Sequence, residues 1–194
     1  MRNTKTFVIA AALLAAAGVL SAQGRRGGGP NLPPMLKLQV ADFGDGGQIP
    51  AKYTCAAGQG SPSPAISWSG APPNTQSFVV ILHDPDPVLG GSATNDVLHW
   101  AIFDIPGDSK GLPEGVKPGD QPDGAKQIAN IARMPGYLGP CPPAGHGDHH
   151  YTFEVFALSA KLGLPGTASR ADLLNAMNGK VLTKGVYIGM FGQK

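Results

Sequence analysis

The chain has five histidines, and three of them crowd into the segment HGDHHY as His146, His149 and His150. Imidazoles can donate N–H bonds to an anion, move a proton or ligate a metal. The other two, His83 and His99, lie in the apolar runs SFVVILHD and VLHWAIFDI. After the first run comes DPDP: the prolines end the strand, so Asp84 and Asp86 stand at its rim. The bland alternatives are a tight Asp-Pro turn and histidines satisfied within a core. Upstream of the histidine cluster, Gly-Pro-Cys-Pro-Pro forms a stiff loop that leads through Gly145 and Gly147 to His149. A stiff loop followed by a glycine bend can hold backbone N–H groups toward a small anion.

Two other chemistries deserve weight. Zinc held by Asp84, His99, His146 and His149, with an open position for water, would suit those residue types. Against it, HGDHH lacks the i, i+4 pair of a zinc helix, and the flanking glycines and prolines deny a helix there. No Gly-x-Ser-x-Gly elbow is present, and no serine stands in the polar motifs, so nucleophilic catalysis has no candidate.

The elements that must position these groups are mainly β. LKLQVA (36–41) and GVYIGMFG (185–192) alternate, whereas 77–84 and 97–105 are nearly continuous apolar runs, as strands buried on both faces would be. YTFEVFAL (151–158) is a fifth strand and QIANIARM (127–134) a weaker sixth. Adjacent strand residues point to opposite faces, so His149 and Tyr151 share a face that His150 does not. One helix is expected, capped by Thr167 or Ser169 and ended at Gly179.

The N-terminus reads as a secretory signal peptide over 1–22: Arg2 and Lys5, an apolar run from Phe7 to Leu20, then small residues. A flexible Gly/Pro/Arg linker (23–34) follows, and 35–194 is long enough for one domain with a real core. Of 15 basic residues two fall in the leader, leaving 13 against 13 acidic. The mature chain is close to neutral, which argues against nucleic acid or an anionic membrane as partner.

The order SPAISWSGAP, DPDP, HWAIFDIP and GPCPPAGHGDHHYTFEVFAL resembles the phosphatidylethanolamine-binding protein family, in particular its bacterial Raf-kinase-inhibitor-like (YbhB/YbcL-type) branch. The resemblance spans about Leu36 to Phe191. It implies a large antiparallel sheet packed against a smaller one, and a pocket for phosphate-like anions or phospholipid headgroups, with no cofactor and no catalysis. Matched motif by motif, the implied site comprises Asp84, Asp86, His99, Cys141, Pro143, His149 and Tyr151. Some members bind proteins as kinase or protease inhibitors; export would separate this chain from cytosolic kinases and leave the protease-inhibitor alternative open. Two departures stand out. DPDP is one residue shorter before its last proline than the family motif, and His150 replaces the usual arginine, a group of fixed charge and bidentate geometry. In an oxidising compartment Cys55 and Cys141 are expected to pair, pinning the anion loop to the sheet; two buried thiols are the alternative.

Overall fold

The computed structural model describes residues 33–194 other than Gln59 and Ser92; the expected leader and nearly all of the expected linker lie outside the described residues. Among the described residues nine strands follow in order. They are β1 (Lys37–Val40), β2 (Gly47–Gln48), β3 (Ile66–Ser69), β4 (Ser77–Asp84), β5 (Val97–Pro106), β6 (Gly111–Leu112), β7 (Lys126–Gln127), β8 (His149–Leu158) and β9 (Val181–Phe191). A single-turn helix α1 (Asp86–Leu89) follows β4, and α2 (Arg170–Met177) precedes β9. The large sheet runs β2-β9-β8-β4-β5-β7 and the small one β1-β3-β6. All neighbours are antiparallel except β2 beside β9. The fold is mainly β with a short C-terminal helix, as the sequence pattern predicts, and sets a large sheet against a smaller one, as the family resemblance implies.

Two apolar layers explain the unbroken run in β4. Phe78, Val80 and Leu82 join Val40, Ile66 and Trp68 in the core between the sheets, where the rings of Trp68 and Phe78 stand 5.0 Å apart. Val79 and Ile81 point the other way, onto Leu173 and Met177 of α2. Burial of each such side chain contributes roughly 1.5–3 kcal/mol, so β4 stabilises both layers. Strand β8 alternates instead: His149, Tyr151, Phe153 and Val155 are buried, and His150 is exposed. Helix α2 begins with the Ser169–Asp172 capping box and is followed by Gly179 at φ 73°, a left-handed position that favours glycine.

Two features depart from simple strand reading. Segment 127–134 is not a strand beyond Gln127. Asn130 folds it into a turn: its side-chain carbonyl accepts from the backbone N–H groups of Ala132 and Met134, and Arg133 takes φ 61°. A side chain that satisfies the backbone locally competes with ladder pairing, and here it wins. The second departure is in β5. Leu82 faces Trp100 while His83 faces Leu98, so His99 is an extra residue in the ladder. Regular alternation would put it with Ala101 and Phe103, on the α2 side. The bulge aims it away from them.

Candidate functional site

One end of the large sheet, where β4 finishes and β5 and β8 begin, opens into a cavity of about 910 Å³. Asp84, His99, His149 and Tyr151 line it from the three strands, and the loop carrying Cys141 and Pro143 forms one wall. Each imidazole is held by Nδ1. That of His149 lies 2.8 Å from Asp84 Oδ2, and that of His99 lies 2.9 Å from the Leu138 carbonyl. Asp84 is itself fixed, since Oδ1 accepts from the Asp86 backbone N–H at 2.9 Å. Nε2 of either ring has no hydrogen bond to the described residues.

Burial depresses the His99 pKa below the usual imidazole value, against the opposing influence of the Leu138 bond and the Asp84 charge. Tyr151 is fully buried, and burial, followed by the Asp84 carboxylate, pushes its phenol well above the usual value. Its hydroxyl therefore keeps its proton. The hydroxyl meets no hydrogen-bond geometry among the described residues, although the Cys141 backbone and the Asp84 carboxylate stand close enough to act on it as hydrogen-bonding neighbours. A buried O–H without a partner is uncommon and asks for one. The Tyr151 ring stands edge-on to His99, centroids 5.2 Å apart.

The wall is tightly built. Cys141 is disulfide-bonded to Cys55, with Cα atoms 5.3 Å apart. The Cys55 N–H donates to the Pro140 carbonyl, and the Leu138 N–H to the His99 carbonyl. At Gly139 a Cβ would lie 2.8 Å from the Tyr53 carbonyl and 2.4 Å from Ser61 Oγ, so only glycine lets the loop come this close. The opposite lip is the Asn130 turn. Asn130 is buried and lines the cavity, while Ile131 and Met134 line it with most of their surface exposed. Reading 127–134 as a strand hid these lip residues. The short polar turn centred on Asn130 was the available signal.

Of the expected site residues only Asp86 stands outside the cavity lining. It opens α1, and its carboxylate accepts the backbone N–H of His150 and faces the His150 ring, 3.1 Å from Nδ1. Of the zinc constellation, His146 stacks on His149 at 6.1 Å between centroids. The potential ligand atoms within 4.8 Å of one another, among the described residues, belong to Asp84, Asp86 and His149. His99 is not part of that group.

Residues 39–192 match the family model described as phosphatidylethanolamine-binding protein. The chain belongs to the phosphatidylethanolamine-binding protein family. An Aquifex aeolicus UPF0098 protein is 43% identical over 81% of this chain and 88% of its own length. A Mycobacterium tuberculosis protein provisionally named lipoprotein LppC is 31% identical, over 81% of this chain and 75% of its own. The solved structure of Escherichia coli YbcL, described as a member of the mammalian family, superposes with a TM-score of 0.72. It is 27% identical and covers 83% of this chain and all of that one.

His150, where the resemblance implies an arginine, points away from the cavity and pairs with Asp86. Among the described residues no lysine or arginine lines the cavity at all. The ionisable groups in this member's cavity are Asp84, the two imidazoles and the tyrosines.

Proposed function

We propose that the protein is an exported binding protein that holds a small phosphate-type anion, free or as the headgroup of a lipid, and does not turn it over. One observation carries this reading: His99 and His149, each held by Nδ1, line one cavity with Nε2 unbonded among the described residues, beside the buried Tyr151. Asp84, Leu138 and the Cys141 loop orient the three groups, and Pro143 stiffens the wall. Family membership supports a ligand of this class. The Cys55–Cys141 bond and the lipoprotein name of one relative support export.

Calorimetric titration with phosphoethanolamine tests the reading on the wild type and on His149→Ala. Affinity should weaken between about pH 6 and pH 8.5, across the imidazole range, and collapse in the variant. Equal affinities throughout would overturn the assignment. Zinc titrated into the same preparation sharpens the result. Tight zinc binding with no phosphoethanolamine heat would favour the metal reading.

A further inference from the structure

The DPDP turn and the start of β8 bring two carboxylates and an imidazole to one spot at the cavity rim. One ligand atom each from Asp84, Asp86 and His149 lie within 4.8 Å of one another. Asp84 and His149 are buried, and the Asp86 side chain is 16% exposed. Like charges this close and this sheltered repel, and taking carboxylates out of water costs free energy unless a cation compensates. Elsewhere in the fold that cation is supplied. Arg170 and Lys184 pair with Asp96 and Glu154 around His83, and Lys52 bridges Asp42 and Glu114. Among the described residues, Asp84 and Asp86 form their ion pairs with the rings of His149 and His150 instead, and an imidazole carries no fixed charge.

The three groups are also aimed. Asp84 Oδ1 accepts from the Asp86 N–H at 2.9 Å, which leaves Oδ2 beside His149 Nδ1 at 2.8 Å. The Asp86 carboxylate accepts the His150 backbone N–H and meets the His150 ring at 3.1 Å. Outer hydrogen bonds of this kind orient the ligands of a metal centre. Nitrogen and oxygen ligands of a tetrahedral zinc, at about 2.0–2.1 Å, stand roughly 3.3 Å from one another. The His149–Asp84 contact has only to open by about half an ångström, and Asp86 to close in by a turn of its side chain.

The geometry points to a divalent-cation site at the cavity rim, with Asp84 Oδ2, the Asp86 carboxylate and His149 Nδ1 as ligands and a zinc-class ion as its occupant. One imidazole with two carboxylates and no thiolate suits zinc or manganese, whereas calcium asks for about six to eight oxygens. This is not the histidine-rich constellation that the residue types suggest in the sequence, since His99 and His146 stay outside it. It goes beyond the anion reading without competing with it. A metal on Nδ1 takes the place of the hydrogen there, and that hydrogen moves to Nε2, the nitrogen with no bond to the described residues. The cation also brings the positive charge that, among the described residues, no lysine or arginine lining the cavity supplies.

Zinc titrated calorimetrically into the tag-free, chelator-treated chain should bind at one site. Asp86→Asn keeps an acceptor for the His150 N–H and stands outside the cavity lining; it should bind zinc about tenfold or more weakly. His146→Ala removes a ligand of the histidine-rich alternative alone and should bind as the wild type does. Zinc should raise the unfolding temperature of the wild type and not that of Asp86→Asn. X-ray absorption at the zinc edge, measured on the wild type and so independent of how the variants fold, should show a single imidazole in a shell of nitrogen and oxygen. Absence of saturable binding, equal affinity in Asp86→Asn, or two or more imidazoles at the metal overturns the site. Phosphoethanolamine titrated with chelator present reads the anion site by itself, so the two proposals fail independently.

Discussion

His83 and Asp84 are neighbours on β4 that face opposite sides of the sheet, and each belongs to a histidine–carboxylate pair. On the α2 side, His83 Nδ1 lies 2.5 Å from Asp96 and Nε2 lies 3.5 Å from Glu154. These are ion-pair distances, although neither ring N–H is aligned for a hydrogen bond. Both carboxylates also have a cation. Arg170 grips Asp96 with two bonds of 2.6 and 2.7 Å, and Lys184 reaches Glu154 at 2.7 Å. On the cavity side, Asp84 has His149 and one backbone N–H but no lysine or arginine among the described residues, and Nε2 of His99 and His149 makes no bond to the described residues. The residue types match; the difference lies in the cations on one side and the cavity on the other. A closed charge network ties a helix to a sheet, and an open one beside a cavity is equipped for a ligand.

The largest effect should come from Asp84→Ala. Removing one partner of a buried pair costs about 3–5 kcal/mol, because the other is left uncompensated. Phosphate binding should disappear with it, since His149 loses its orientation. Denaturant unfolding and calorimetry on one preparation measure both. Retained affinity in the variant would break the contrast, making Asp84 as structural as Asp96.

Next is Cys141→Ser. The disulfide spans 86 residues, and a loop of that length gives up to about 4.6 kcal/mol by chain entropy, with 2–4 typical. The variant should unfold at lower denaturant and also bind phosphate more weakly, since the cavity wall loses its anchor. Alkylation of the denatured, unreduced wild type should add nothing to its mass. Two added groups would remove the bond from the account.

Much of this frame is legible in the sequence because burial writes itself into periodicity. The two-sided runs of β4 and β5, the alternation of β8 and the Ser169 cap all follow from residue type. The Asp-Pro repeat marks where β4 must stop, and His149 and Tyr151 fall on one face by counting. Three features are not written that way. Two-residue strands such as β2, β6 and β7 are too short to show a period. The turn at 130–134 depends on one asparagine outcompeting an apolar pattern. The orientation of His99 depends on a bulge set by pairing with β4, and no local pattern encodes a slip in a partner's register. Asp86 illustrates the converse: its motif is plain, yet α1 turns its carboxylate toward His150.

A smaller effect is expected from Asp96→Asn on the closed side. The Arg170 guanidinium, and less strongly His83, hold the Asp96 carboxyl below its usual value. A depressed carboxylate contributes stability above its unfolded pKa, near 4, that is lost as pH falls through the folded value. The pair is partly solvated, so the variant should lose about 1 kcal/mol at neutral pH, after screening. Its stability should then fall less steeply than the wild type's below about pH 4. Phosphate affinity should not change. A binding defect in Asp96→Asn would show that the two networks communicate through β4 and blur the distinction drawn between them.

The smallest stability effect, and the sharpest test, belongs to Tyr151→Phe. The hydroxyl is buried and, among the described residues, meets no hydrogen-bond geometry, with Asp84 and the Cys141 backbone as its near neighbours, so keeping it costs folding free energy that its ring must offset. Phenylalanine preserves the ring and its edge-on contact with His99. Stability should therefore hold or rise by up to about 1 kcal/mol, while phosphate affinity falls about tenfold through loss of one donor to a charged ligand. Thermal unfolding and calorimetry read the two quantities separately. A group retained at a cost to folding and needed for binding is the signature of a ligand contact. Loss of stability without loss of affinity would mark the hydroxyl as part of the core and place the cavity-side pair in the same class as the one behind it.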